Sequence, residues 1–186
     1  MNAYENDIRA MENPGMAEII RIAKGYVSPM YRHSPWTHPE VKHGKGILAS
    51  EEGLNCYLSA YGTMHAHKMR HALQNCDLRG LEGGFEVVDW GCGQGLASVC
   101  LLEHLLEQGL PLPARIMLVD ISAAALDRAE LHLGVLAQGR VELRRMERSM
   151  PGYVSGEWQG DTLAASQPTV LHLLSNIFES ASWAKP

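Results

Sequence analysis

The sequence predicts an α/β protein built on a doubly wound, mostly parallel sheet, preceded by a helical extension. Three observations carry this. From residue 85 onward, short apolar runs alternate with segments of helical period, the pattern of strands joined by right-handed crossover helices. The first strand-to-helix junction, VVDWGCGQGLAS over residues 87–98, is rich in glycine directly behind an apolar run. The composition, 46% apolar and 20% charged over 186 residues, supports one domain with a sizeable core.

The elements follow in order. Residues 1–27 hold two short helical segments split by Asn13-Pro14-Gly15, a turn signal, and the second sets Met16, Ile19, Ile20 and Ala23 on one face. Residues 28–46, SPMYRHSPWTHPEVKHGKG, have three prolines and no periodicity, and read as a loop. Ser50 is placed as an N-cap, with Glu51 and Glu52 suited to the positive end of the next helix. Along that helix Leu54, Leu58, Tyr61, His65, Met69 and Ala72 are expected on one side, with Gly62 inside it. Then come strand FEVVDW, helix LASVCLLEHLLEQG ended by Gly109, strand RIMLVD, helix SAAALDRAELHLGVLAQ, and strands RVELRR and TVLHLL. The expected division is a helical extension and loop over 1–80 and a sheet domain over 81–186.

The formal charge of -5 argues against a dedicated nucleic-acid surface without excluding a local patch. The four cysteines, Cys56, Cys76, Cys92 and Cys100, form no C-x-x-C pair, and the opening MNAYENDIRAMENPG is polar, unlike a secretory signal. A reduced, cytoplasmic protein is expected. Apolar stretches fall short of the roughly 20 residues that span a bilayer, so no membrane partner is expected.

In open α/β sheets, ligands sit beyond the carboxyl ends of the strands. The junction at 89–95 lies there, and its glycines let a ligand approach bare backbone while the next helix presents unpaired N–H groups. A dinucleotide fingerprint would read G-x-G-x-x-G; here Gly91, Gly93 and Gly95 read G-x-G-x-G and position 96 is leucine. Asp89 would repel a pyrophosphate and suits a ligand carrying an amino group. An NAD-type oxidoreductase is therefore disfavoured.

Asp89, Gly91, Gly93 and Gly95 behind Val87-Val88 resemble motif I of the class I (Rossmann-like) S-adenosylmethionine-dependent methyltransferases. Asp120, closing IMLVD, stands where that family keeps an acidic residue for the two ribose hydroxyls. The resemblance covers roughly residues 50 to 180. It implies S-adenosyl-L-methionine as cofactor, held by Asp89, Gly91, Cys92, Gly93, Gly95, Asp120 and Ile121. Asp89 would orient the methionine end, and Ile121 would pack on the adenine. As a bare alternative, Asp120 would only cap the next helix, a task Ser122 also suits. Glu147 and Asp161 are candidates for the adenine amino group, or surface charges. The implied activity is methyl transfer to an acceptor the sequence does not identify, with no metal required.

Past the fourth strand, Ser175, Asn176 and Glu179 fall where the family faces its substrate, and Asn176 and Glu179 are the catalytic candidates. The N-P-P-Y or D-P-P-Y tetrad of base-amino methyltransferases is absent. The family sheet has seven strands and this chain shows four, so truncation after the fourth strand is expected, or completion by a second copy across the exposed fourth-strand edge. A catalytically incomplete cofactor-binding module is the alternative function. His67 and His71 are one helical turn apart without a third ligand of suitable spacing. Tyr61 and His65 are expected on the helix side that closes over the cofactor. The 28–46 loop, with Tyr31, Arg32, Trp36, Lys42 and Lys45, reads as ordinary loop, lid, or base-stacking surface.

Overall fold

A computed structural model describes residues 2–42, 46–81, 84–148 and 169–175 of the chain. Strands β1 (Glu86–Trp90), β2 (Arg115–Asp120), β3 (Glu142–Glu147) and β4 (Val170–Leu173) form one sheet in the order β3-β2-β1-β4, and every neighbouring pair is parallel. Helices α1 (Ala3–Arg9), α2 (Met16–Gly25), α3 (Glu51–Tyr57) and α4 (Thr63–Gln74) precede the sheet. Helix α5 (Leu96–Glu107) joins β1 to β2, and α6 (Ala123–Ala137) joins β2 to β3. Over the described residues the fold is α/β, a four-stranded parallel sheet flanked by helices, with strand and helix bounds after residue 85 within two residues of expectation. The chain order runs outward from β1 to β3 and then returns to the other side of β1, so the direction reverses between β1 and β4.

Period-two alternation puts Val87 and Asp89 of β1, Ile116 and Leu118 of β2, and Leu173 of β4 on one face, and all five are buried. Helix α6 lies on this side, since Arg145 of β3 pairs with its Asp127 and, at 3.5 Å, its Glu130. Strand β3 exposes Glu142, Arg144, Arg145 and Glu147, a charged edge that discourages further pairing. Among the described residues β4 pairs with β1 alone.

Helices α1 and α2 do not form a core of their own. Tyr4, Ile8, Met16, Ile19 and Ala23 share a single buried cluster with Leu101, Leu102 and Leu105 of α5 and Leu126 and Leu133 of α6. Glu103 of α5 fastens three helices. Its Oε1 accepts the Met16 N–H at 2.6 Å, and its Oε2 accepts from Arg70 Nη2 at 3.1 Å. The N-cap of α2 is Gly15, which has no side chain to cap with, so this carboxylate does the capping from another helix. Glu103→Ala is expected to destabilise by about 1–3 kcal/mol, loss of a cap plus a part-exposed ion pair with Arg70, read by urea unfolding.

Ser50 caps α3 as expected, its Oγ accepting from Gly53 N–H at 3.0 Å. The helix face needs a correction. A π turn over Leu58–Gly62 sits between α3 and α4 and inserts one extra residue into the helical repeat. The buried stripe therefore runs Leu54, Leu58, Gly62, Ala66 and Leu73, while Tyr61, His65 and Met69 are half-buried and Ala72 is exposed. Gly62 belongs on the stripe because a Cβ there would come within 3.0 Å of Ile20 in α2.

Candidate functional site

The segment from β1 to α5 turns on three glycines with positive φ: Gly91 at 59°, Gly93 at 52° and Gly95 at 79°. Two of them serve different ends. A Cβ on Gly95 would lie 3.1 Å from Ala129 Cβ and 3.2 Å from its Cα, so Gly95 is bare to let α5 and α6 meet. A Cβ on Gly93 would touch nothing within 4 Å. The loop is open at Gly93, where a ligand would approach.

The two acidic residues flank this loop. Asp120 leaves β2 with Oδ2 accepting the Gly93 N–H at 2.8 Å and Oδ1 accepting the Ser122 N–H at 2.9 Å. Each carboxylate oxygen keeps a second lone-pair direction for a hydroxyl. Capping of α6 falls to Ser122, whose Oγ accepts from Ala125 N–H at 3.1 Å, so Asp120 is not needed as the cap. Asp89 is fully buried beneath the loop. Its Oδ2 accepts from Ser98 Oγ at 2.6 Å, and its Oδ1 has no partner among the described residues. Burial raises its carboxyl to about 7 despite the Ser98 hydrogen bonds, with Asp120's charge adding to the rise. A buried, half-satisfied carboxylate calls for a cation, a proton or a water at its empty oxygen.

The rest of the loop is anchored from β2, α3 and α6. Cys92 N–H donates to Val119 O at 3.0 Å, continuing the β1–β2 ladder, and its thiol is buried in the core. Cys92 therefore contributes backbone shape, and burial raises its thiol. Gly95 N–H closes the turn on Cys92 O at 2.8 Å. Gln94, only 1% exposed, donates its side-chain amide to Leu54 O of α3 at 3.0 Å. Its backbone carbonyl oxygen lies 2.9 Å from His132 Nδ1 of α6.

Around the rim, Ile121 follows Asp120 and is 45% exposed, an apolar side chain left open at the carboxyl end of β2. Tyr57, Tyr61 and His65 cluster at the π turn. Tyr57 stacks on His65 at 6.0 Å between centroids and meets Tyr61 at 5.6 Å. Burial, then the Asp120 charge, pushes the Tyr57 phenol up to about 12. The sequence singled out Tyr61 and His65 and missed Tyr57. Glu147 is exposed at the end of β3, in register with Asp120. Beside β1, Trp90 donates its indole N–H to His172 Nδ1 of β4 at 3.0 Å. Asn176, Glu179, Asp161 and Lys45 lie outside the described residues.

His67 and His71 are exposed on α4, and among the described residues no three metal-ligand side chains gather. The 28–42 segment is tied to α3, because Glu40 accepts the Ala49 and Ser50 N–H groups at 2.9 and 3.0 Å, leaving Trp36 51% exposed. All four cysteines are free thiols. No helix among the described residues is long and apolar enough to cross a membrane. A concavity between α1 and α2, lined in part by Asp7, Met11, Glu18 and Tyr26, involves none of the loop residues.

Sequence reasoning missed Gln94, Ser98, Arg128 and His132. For the last three a signal was present: each is a polar residue inside a run that helical period assigns to the core, and such a residue has a partner. No protein-family model matches the chain, and no curated protein and no solved structure matches it.

Proposed function

We propose that the protein binds S-adenosylmethionine on the β1–α5 loop and transfers its methyl group to an acceptor held beside it. One observation carries this reading: the hydrogen bond from Gly93 N–H to Asp120 Oδ2, which joins the open glycine of one strand end to the free-lone-pair carboxylate of the next. The residues fit the ligand. Asp120 has capacity for two ribose hydroxyls, Ile121 offers an apolar surface for the base, Gly93 leaves room for close approach, and the half-satisfied carboxylate of Asp89, buried beneath the loop, suits the ammonium through a bridging water. The finer fold assignment, a Rossmann-like methyltransferase sheet, belongs to the same proposal and is supported by the strand order and the reversal at β1.

When bound, the sulfonium supplies an already activated methyl group. The chain's own work is then to orient and to exclude water. Asp120 fixes the sugar, bare Gly93 lets the ligand lie against the loop backbone, and the Tyr57–Tyr61–His65 cluster walls the site on the α3 side. A second reading is a cofactor-binding module that needs further strands from elsewhere, favoured by β4 pairing with β1 alone among the described residues. Cofactor affinity with turnover only in concentration-dependent dimers would select it.

Calorimetry with S-adenosylhomocysteine tests the main reading. Asp120→Ala is expected to weaken binding by about 1.5–3 kcal/mol. An analogue lacking both ribose hydroxyls should lose a similar amount on the native protein and nothing further on the variant. Equal losses on both proteins would remove the ribose assignment.

A further inference from the structure

A line of buried polar side chains runs from α1 through α6 into the glycine loop. The Tyr4 hydroxyl lies 2.8 Å from His132 Nε2, and His132 Nδ1 lies 2.9 Å from the Gln94 carbonyl oxygen. Tyr4 is 2% exposed and His132 is fully buried. The bonding pattern admits one assignment. A carbonyl oxygen only accepts, so Nδ1 carries the hydrogen, and a neutral imidazole then has a lone pair at Nε2 for the tyrosine O–H. Both groups stay in those states near neutral pH. Burial, with Arg128's charge, holds His132 down at about 4, and burial pushes Tyr4 up to about 12. Arg128, one turn before His132, lays its guanidinium 3.4 Å from the Tyr4 ring centroid and bonds Asn55 at 3.1 Å and Glu51, both in α3. Cation–π contact at that distance keeps the ring, and so the hydroxyl, in place.

We propose that Tyr4 and His132 are positioning residues for the ligand loop: the Gln94 backbone carbonyl requires the Nδ1–H tautomer, Tyr4 braces that tautomer by donating to Nε2, and the Nδ1–H holds the carbonyl and so sets the peptide that leads into Gly95. This rests on the reading of the loop as a cofactor site, and it makes the first helix of the chain part of that site. Gln94 is gripped at both its amide and its carbonyl, so the loop is shaped before any ligand arrives, and binding is spared the ordering of those residues.

Three substitutions at one position separate positioning from packing. Asparagine presents its amide nitrogen close to where Nδ1 stands, glutamine presents it nearer Nε2, and leucine presents neither. All three lose the imidazole's packing, so unfolding midpoints should fall together. Hydrogen exchange at the Gly95 amide and affinity for S-adenosylhomocysteine should divide them. His132→Asn is expected to stay within about threefold of the native affinity with a protected Gly95 amide, whereas His132→Gln and His132→Leu lose tenfold or more and exchange faster. The native protein should also show a slowly exchanging His132 Nδ1–H by nitrogen-15 NMR that Tyr4→Phe broadens or shifts. If His132→Asn fares no better than His132→Leu in Gly95 exchange, or if the native hydrogen is found on Nε2, the positioning role is overturned. If the native protein binds no S-adenosylhomocysteine while the exchange pattern holds, the cofactor reading fails and the positioning of the loop stands.

Discussion

Asp89→Asn is expected to make the protein more stable above pH 7 and a poorer binder of S-adenosylhomocysteine. The carboxyl is raised by burial from an ordinary value of 3.8 to about 7 in the fold. Between those values the folded state holds a proton that the unfolded state has lost, so stability falls as pH rises through this window. The full difference is on the order of 4 kcal/mol, since each pH unit of separation corresponds to about 1.36 kcal/mol. Asparagine removes the charged form and preserves an acceptor for Ser98, so the variant's stability should be flat in pH where the native protein's declines. Urea unfolding at several pH values between 4 and 9 reads this directly. Binding should run the opposite way. On the native protein, affinity for an ammonium-bearing ligand should climb toward pH 7 as Asp89 ionises and then level, while the variant shows no such climb. Parallel stability curves for the two proteins would mean that Asp89 carries no strained charge.

Gly95→Val and Gly93→Ala should fail in different ways. At Gly95 a side chain meets Ala129 at 3.1 Å and the backbone sits at φ 79°, so valine combines a left-handed conformation with overpacking between α5 and α6. The expected destabilisation is about 2–5 kcal/mol, adding about 1–2 for the conformation to about 1–3 for the crowding. At Gly93 a methyl group meets nothing within 4 Å, leaving only the conformational part, about 1–2 kcal/mol. The methyl nevertheless occupies the approach to the loop, so affinity for S-adenosylhomocysteine should drop at least tenfold. Thermal unfolding and calorimetry on both variants would show stability lost mainly in one and binding mainly in the other. A Gly93→Ala protein that binds normally would mean the open space at Gly93 is not where the ligand goes.

These contrasts show what was legible in the sequence. Strand β2 runs over the residues expected of it because period-two alternation and burial act locally. The glycine loop stood out because positive φ narrows the choice of residue. The different duties of Gly93 and Gly95 did not, since they depend on where α6 lies. The π turn escaped because one inserted residue leaves the local composition helical while it rotates every later side chain, which moved Ala72 out and Leu73 in. Tyr4 and His132 are 128 residues apart, and no short-range pattern links them. What could be read was the oddity of a histidine and an arginine one turn apart on the buried side of α6.

The double hold on Gln94 has a consequence for how the molecule comes together. One grip comes from α3 and the other from α6, and the α6 grip is itself braced by α1, at the opposite end of the chain. The loop therefore has no route to its working shape by local folding alone, and it matures only when distant parts of the polypeptide have closed on it. A fragment beginning at residue 81 would carry every letter of the glycine motif and none of the outside restraint from Tyr4 and Leu54, so competence to bind should arrive late and all at once.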